Sequence, residues 1–209
     1  MKSTTQTRRM NSRAVKFTLA GTLCALIVAL AVVAGGGDGD GDNGAGNPES
    51  ELTAADARAP LGAAPPELVA LREQANQILD EGREGFEARL AELKGTPVVV
   101  NKWASWCGPC REEFPFFQSQ AIERGDEVAF LGLLSDDGPD SGATFLEQLP
   151  LPYPSYLDPD REIADAFNAG REFPSTLFID ASGEVAFTKL GPYTDEEGLA
   201  ADIDRYASG

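Results

Sequence analysis

The 209-residue chain has no histidine and only three cysteines, Cys24, Cys107 and Cys110. Those shortages narrow what its one Cys-x-x-Cys pair can do. A zinc site takes four ligands, usually cysteine or histidine, and the supply here stops at three thiols. An iron–sulfur cluster takes four thiolates and fails the same count. Covalent haem requires a histidine directly after the second cysteine, where Arg111 stands. No metal and no cofactor is therefore expected, and no group of acids has the spacing of a calcium loop. Dithiol–disulfide exchange is left, with an inert static disulfide as the alternative. Gly108-Pro109 between the thiols and Trp106 before them argue against an inert bridge.

Bases are scarce as well. The chain carries 17 against 34 acids, net −17. Lys2, Arg8, Arg9, Arg13 and Lys16 precede every acid, so the remainder holds 12 bases against 34 acids, net −22. Such a charge disfavours nucleic acid and anionic lipid surfaces as partners. The acidity itself reads as solubility or as adaptation to a salty setting.

Only one long apolar run occurs. Phe17 to Ala34 is 18 residues without a charge, a helix of about 27 Å, close to the hydrocarbon thickness of a bilayer. Bases before it and Asp38, Asp40 and Asp42 after it predict a cytoplasmic N-terminus and an extracytoplasmic remainder. The rival is a cleaved signal peptide, for which Val32-Val33-Ala34 offers a cleavage site and which would leave a secreted domain. Arg8-Arg9 hints at twin-arginine export. Leu23 before Cys24 spoils a lipidation box, so Cys24 reads as a small apolar filler within the run. Residues 35–65 are Gly/Asp-rich, then Ala/Pro-rich, and read as a flexible linker spanning roughly 30 Å. No internal repeat is found, and residues 66–209 are left as one domain.

Within that domain, helical spacing covers Pro66 to Asp80 (Leu68, Leu71, Ile78) and Glu84 to Lys94 (Phe86, Leu90, Leu93). Pro97 to Trp103 reads as a buried strand. A long helix follows from Cys107 to Arg124, bent at Pro115. Next come a strand from Glu127 to Leu134, a short helix from Ser141 to Leu149, an extended segment from Tyr153 to Leu157 and a helix from Asp160 to Asn168. Ser175 to Asp180 and Glu184 to Leu190 form a hairpin about Ala181-Ser182-Gly183. A helix from Thr194 to Tyr206 closes the domain, capped by Thr194. Strands alternating with helices and ending in a hairpin give a mixed α/β sheet flanked by helices.

A strand ending at Trp103 and a helix opening near Cys107 place both thiols at a helix N-terminus, where thiolate is favoured. Cys107, expected to be exposed, is then the nucleophile, and Cys110, shielded one turn in, is the resolving thiol. Pro109 has no N–H to leave unpaired there. Glu113, three residues after Cys110, lies on the same helical face. Shielding would raise its pKa and let it trade protons with Cys110; the alternative is a solvated carboxylate, as is expected of Glu112.

Trp103-Ala104-Ser105-Trp106-Cys107-Gly108-Pro109-Cys110 resembles the active-site signature of the thioredoxin superfamily. Its extension Arg111-Glu112-Glu113-Phe114-Pro115 is similar to the membrane-tethered TlpA/ResA-like thiol–disulfide oxidoreductases. The resemblance implies a thioredoxin-like fold over about residues 66–209. It implies proton-relay work for Glu113, because Asn101 stands where thioredoxins proper keep a buried acid. Phe173-Pro174-Ser175-Thr176 matches the superfamily's cis-proline segment, so Phe173 and Pro174 are expected to join Trp106, Gly108 and Pro109 in contacting substrate, with Trp103 in the core. Two residues depart from the pattern. Lys102 replaces the usual aromatic and is expected to bury its stem and pair its head with an acid. Phe173 is bulkier than usual before the proline. The resemblance further implies a monomeric reductase of protein disulfides, fed by a membrane thiol-transfer donor, with apocytochrome c as one candidate substrate. Two alternatives are a peroxiredoxin-like peroxidase, whose Pro-x-x-x-Thr-x-x-Cys pattern meets Val100 and Ala104 here, and a redox-silent peptide-binding module.

Overall fold

The computed structural model describes residues 52–207. The run from Phe17 to Ala34, Cys24 and the first part of the linker lie outside them. Among the described residues no helix is long and apolar enough to cross a membrane.

The fold is built outward from one strand, β2 (Val98–Trp103), every residue of which is buried. A strand buried on both faces reads as an unbroken apolar run rather than an alternating one, which is why Val98-Val99-Val100 stands out. Its period of two still divides the core. Val99 and Trp103 face one cluster, with Phe114, Phe117, Phe145, Leu199 and Ile203. Val98 and Val100 face another, with Leu68, Leu71, Phe86, Ile163 and Leu177. Each fully buried large side chain stabilises the fold by about 1.5–3 kcal/mol. Both faces of the sheet are thereby covered by helices.

Beside β2 run β3 (Ala129–Ser135), β4 (Ser155–Asp158) and β1 (Ile78–Leu79), all parallel. On its other side lie β5 (Ser175–Ile179) and β6 (Val185–Leu190), antiparallel. The order is β1-β4-β3-β2-β5-β6. Helices α4 (Gly108–Arg124), α5 (Pro139–Gln148) and α7 (Glu196–Tyr206) supply the first cluster. Helices α2 (Pro66–Glu73), α3 (Gly82–Glu92) and α6 (Glu162–Ala166) supply the second. The mixed sheet with flanking helices and the closing hairpin agree with the sequence reading. Trp103 is fully buried and its indole N–H donates to Ser155 Oγ at 3.1 Å. A Cβ on Gly132 would collide with that hydroxyl, so glycine is required there.

Three expectations change. The helix predicted over residues 66–80 stops at Glu73, because Asn76 adopts left-handed backbone (φ 61°) and ties its amide to Leu146 O and Leu151 N. Asparagine tolerates that conformation better than most residues. Ile78 and Leu79 then pair with Ser155 and Tyr156, so tertiary pairing overrides a helical spacing. The closing helix is capped by Asp195, whose carboxylate accepts the Gly198 N–H, one residue after the expected Thr194. Finally, a short helix, α1 (Ala54–Ala57), lies within the segment read as linker. A Thr53–Asp56 capping box opens it, and its Ala57 is buried, with Arg72 donating to the Ala57 carbonyl. Composition does not register a box of two side chains.

Candidate active site

The turn between β2 and α4 carries the thiols. Asp137 holds it from the β3–α5 loop, its carboxylate accepting the Ser105 N–H at 2.6 Å. Cys107 caps α4, its sulfur accepting the Cys110 N–H at 3.1 Å, and Gly108-Pro109 supply the first helical positions. Cys107 and Cys110 are joined in a disulfide, with Cα atoms 5.3 Å apart. Gly108 and Pro109 are exposed. The expectation of an exposed Cys107 needs correcting: both cysteines are buried, Cys107 keeping 4% exposure and Cys110 none. The order of access is as expected, but the opening is a sliver, because the same turn that caps the helix folds the sulfur inward.

Glu113 is fully buried, one helical turn beyond Cys110. Its Oε1 accepts from Asn101 Nδ2 at 2.8 Å and its Oε2 from the Tyr193 N–H at 3.0 Å. Two donors favour the carboxylate, but loss of water favours the acid. Burial wins and pushes Glu113 up to about 7. A carboxyl group poised near neutrality can take up or release a proton at little cost. Glu112 next to it is exposed. Asn101, unable to hold a proton itself, serves as the donor that orients Glu113. Tyr153, buried, lies close enough for Glu113 to help raise its hydroxyl pKa. Sequence reasoning missed Tyr193, Tyr153 and Asp137. Only the adjacent Gly191-Pro192 marks Tyr193 in the sequence, as a turn, and its backbone role has no residue-type signal.

The rim is aromatic. The Phe173–Pro174 peptide bond is cis, as the resemblance implied. The half-buried Phe173 ring packs edge-on against Trp106, with centroids 4.8 Å apart at 61°. Trp106 is 58% exposed, and its indole N–H donates to the Asp136 carbonyl at 3.1 Å. Lys102 differs from expectation. Its stem is buried, but its ammonium donates to the Gly170 carbonyl at 2.9 Å and stands 4.0 Å from the Phe173 centroid, and it forms no salt bridge among the described residues. The β2 register points it to the face away from Glu113, where a backbone carbonyl and a ring are nearest.

The AhpC/TSA family model matches residues 71–188, more than half of the chain. Among curated proteins the chain is similar to the thiol-disulfide oxidoreductase ResA of Geobacillus kaustophilus, 32% identical over 124 residues, covering 59% of this chain and 68% of that one. It is 31% identical over 133 residues to ResA of Oceanobacillus iheyensis, covering 62% and 68%. It thus spans about two thirds of the length of these relatives. Among solved structures it is similar to a candidate thiol:disulfide interchange protein DsbE of Chlorobium tepidum, with 28% identity and a TM-score of 0.52, covering 57% of this chain and 85% of that one. Fold, thiol pair and relatives agree, and the chain belongs to the AhpC/TSA family, as a thioredoxin-fold thiol–disulfide oxidoreductase of the ResA type.

Proposed function

We propose that this protein reduces disulfides of other proteins outside the cytoplasm, tethered to the membrane by Phe17 to Ala34. The observation that carries the reductive mechanism is the buried Glu113, held by Asn101 and Tyr193 on the helix that bears Cys110. In the reduced protein, Cys107 thiolate attacks one sulfur of the substrate disulfide. That S–S bond breaks, the first substrate sulfur leaves as thiolate and takes a proton, and a mixed disulfide with Cys107 remains. Cys110 passes its proton to Glu113 and attacks the Cys107 sulfur. The second substrate thiolate leaves, and the protein ends as the Cys107–Cys110 disulfide. Two electrons have moved to the substrate, and a dithiol donor at the membrane restores the protein. Substrate backbone pairs beside Phe173 and Pro174 in strand fashion. Apocytochrome c is the candidate substrate, and the protein acts as a monomer. A peroxidase would want proline and threonine where Val100 and Ala104 stand, and a silent binding module would not need two thiols.

Redox titration of the Cys107–Cys110 pair is the deciding experiment. Gly-Pro between the cysteines predicts a midpoint near the reducing value of about −270 mV. Insulin should be reduced at the expense of a dithiol donor. A midpoint close to about −120 mV would reverse the direction of electron flow, and intact insulin with a pair that does not cycle between dithiol and disulfide would leave the binding module.

Placement is tested separately. Protease added to intact cells should degrade the domain, with activity in the membrane fraction before treatment. A protected domain and activity in the cytosolic fraction would sink the extracytoplasmic reading.

A further inference from the structure

Lys102 has no exposed surface. A buried ammonium is expensive unless hydrogen bonds and charge compensate it, and here the compensation is lean. It donates to the Gly170 carbonyl at 2.9 Å and faces the Phe173 ring at 4.0 Å. Arg161 donates to the same carbonyl at 2.9 Å, so two cations converge on one backbone oxygen. Ser175 Oγ donates to the neighbouring Ala169 carbonyl at 2.6 Å. Asp158, Asp165 and Glu172 also act on the ammonium, opposing Arg161, and burial with Arg161 brings Lys102 down to about 8, which leaves it cationic at neutral pH.

These bonds fix the short stretch that leads into Phe173. The Phe173 ring in turn meets Trp106, the residue directly before Cys107, so two separate segments converge at the start of the active-site turn. The two departures from the thioredoxin-like pattern, Lys102 and Phe173, are therefore one contact. A cation over a ring face is a directional attraction, and it holds a half-buried ring that otherwise packs on Trp106 and the edge of the first core cluster.

We propose that Lys102 is a positioning residue that fixes the Phe173 ring against Trp106, and that this ring pair selects protein substrates with a large apolar side chain beside the target cysteine. The inference rests on the protein-disulfide reading above. Trp106 is 58% exposed and offers aromatic surface that an apolar side chain, but not a small polar one, would desolvate.

The test uses the full chain with Cys110→Ser, which retains Cys107 as the sole active-site thiol. Two peptides, each with one cysteine carried as its mixed disulfide with thionitrobenzoate and followed by Phe in one and Ser in the other, compete for Cys107, whose thiolate attacks the peptide sulfur and displaces thionitrobenzoate. The Phe peptide should be favoured about 5- to 20-fold. Adding Lys102→Met should cut that ratio below about 3-fold, Lys102→Arg should keep most of it, and Phe173→Thr should lower it like Lys102→Met. A ratio of two occupancies is insensitive to a general loss of stability, so a merely structural role would not move it. Absence of the preference in the parent, or its survival in Lys102→Met or in Phe173→Thr, overturns the inference. The protein with both cysteines is assayed on insulin in parallel. A preference without insulin reduction ends the protein-disulfide reading and leaves the positioning role standing; reduction without preference does the opposite.

Discussion

Cys107→Ser should leave no thiol–disulfide turnover above the uncatalysed rate, whereas Cys110→Ser should stop after half a cycle and accumulate a mixed disulfide. The difference follows from geometry. Cys107 is at the cap of α4, where the helix's unpaired N–H groups favour thiolate, and it keeps the only access, 4% against none for Cys110. Substrate can therefore reach the first sulfur only. In the proposed cycle Cys110 meets no substrate and acts on a sulfur already bound to its neighbour. Without Cys107 nothing starts; without Cys110 nothing is released. Non-reducing gels of each variant with insulin distinguish the two, since only Cys110→Ser yields a covalent adduct. Alkylation of the reduced protein at mild pH should modify Cys107 first. An adduct on Cys107→Ser, or preferential labelling of Cys110, would exchange the two roles.

Glu113→Gln should slow dithiol–disulfide exchange about 10- to 100-fold, the usual scale of general acid–base catalysis. It should also lower the thiol pKa, because a shielded carboxylate beside a thiol raises both and the two titrate together. Glu112→Gln should change little, since Glu112 is exposed. The same substitution alters how stability depends on pH. Folding raises Glu113 from 4.5 to about 7, so the folded protein holds a proton that the unfolded chain gives up sooner. The stability this contributes is fully present below pH 4.5 and is lost as pH rises through 7. At about 1.4 kcal/mol per tenfold change in proton affinity, the loss is roughly 3 kcal/mol. Thermal unfolding of the oxidised protein between pH 4.5 and 8 should therefore decline less in Glu113→Gln than in the wild type. Equal slopes, or exchange rates alike in the Glu112 and Glu113 variants, would make Glu113 a bystander. Glutamine offers a single acceptor to the donors Asn101 Nδ2 and Tyr193 N–H, so a modest general loss of stability accompanies the change.

What the sequence by itself determined was the chemistry and the local geometry around it. Two thiols, no histidine and no fourth ligand leave exchange as the work of Cys107 and Cys110. The spacing of 107, 110 and 113 is short enough for one helical turn to carry all three, and the apolar run before them suffices to mark a buried strand. What lay beyond reach were contacts between distant segments. Asn101 and Tyr193, one on β2 and one before α7, meet at Glu113 only because the sheet and α4 pack face to face. No spacing rule links residues 80 positions apart. Ile78 fits a helical pattern and joins a strand instead, because β4 offers it an open edge. Lys102 was expected to find an acid and found the Gly170 carbonyl and the Phe173 ring. Its partner was set by the register of β2 against β5, which turns alternate side chains to opposite faces and places Lys102 opposite Ser175, behind the segment that carries Phe173.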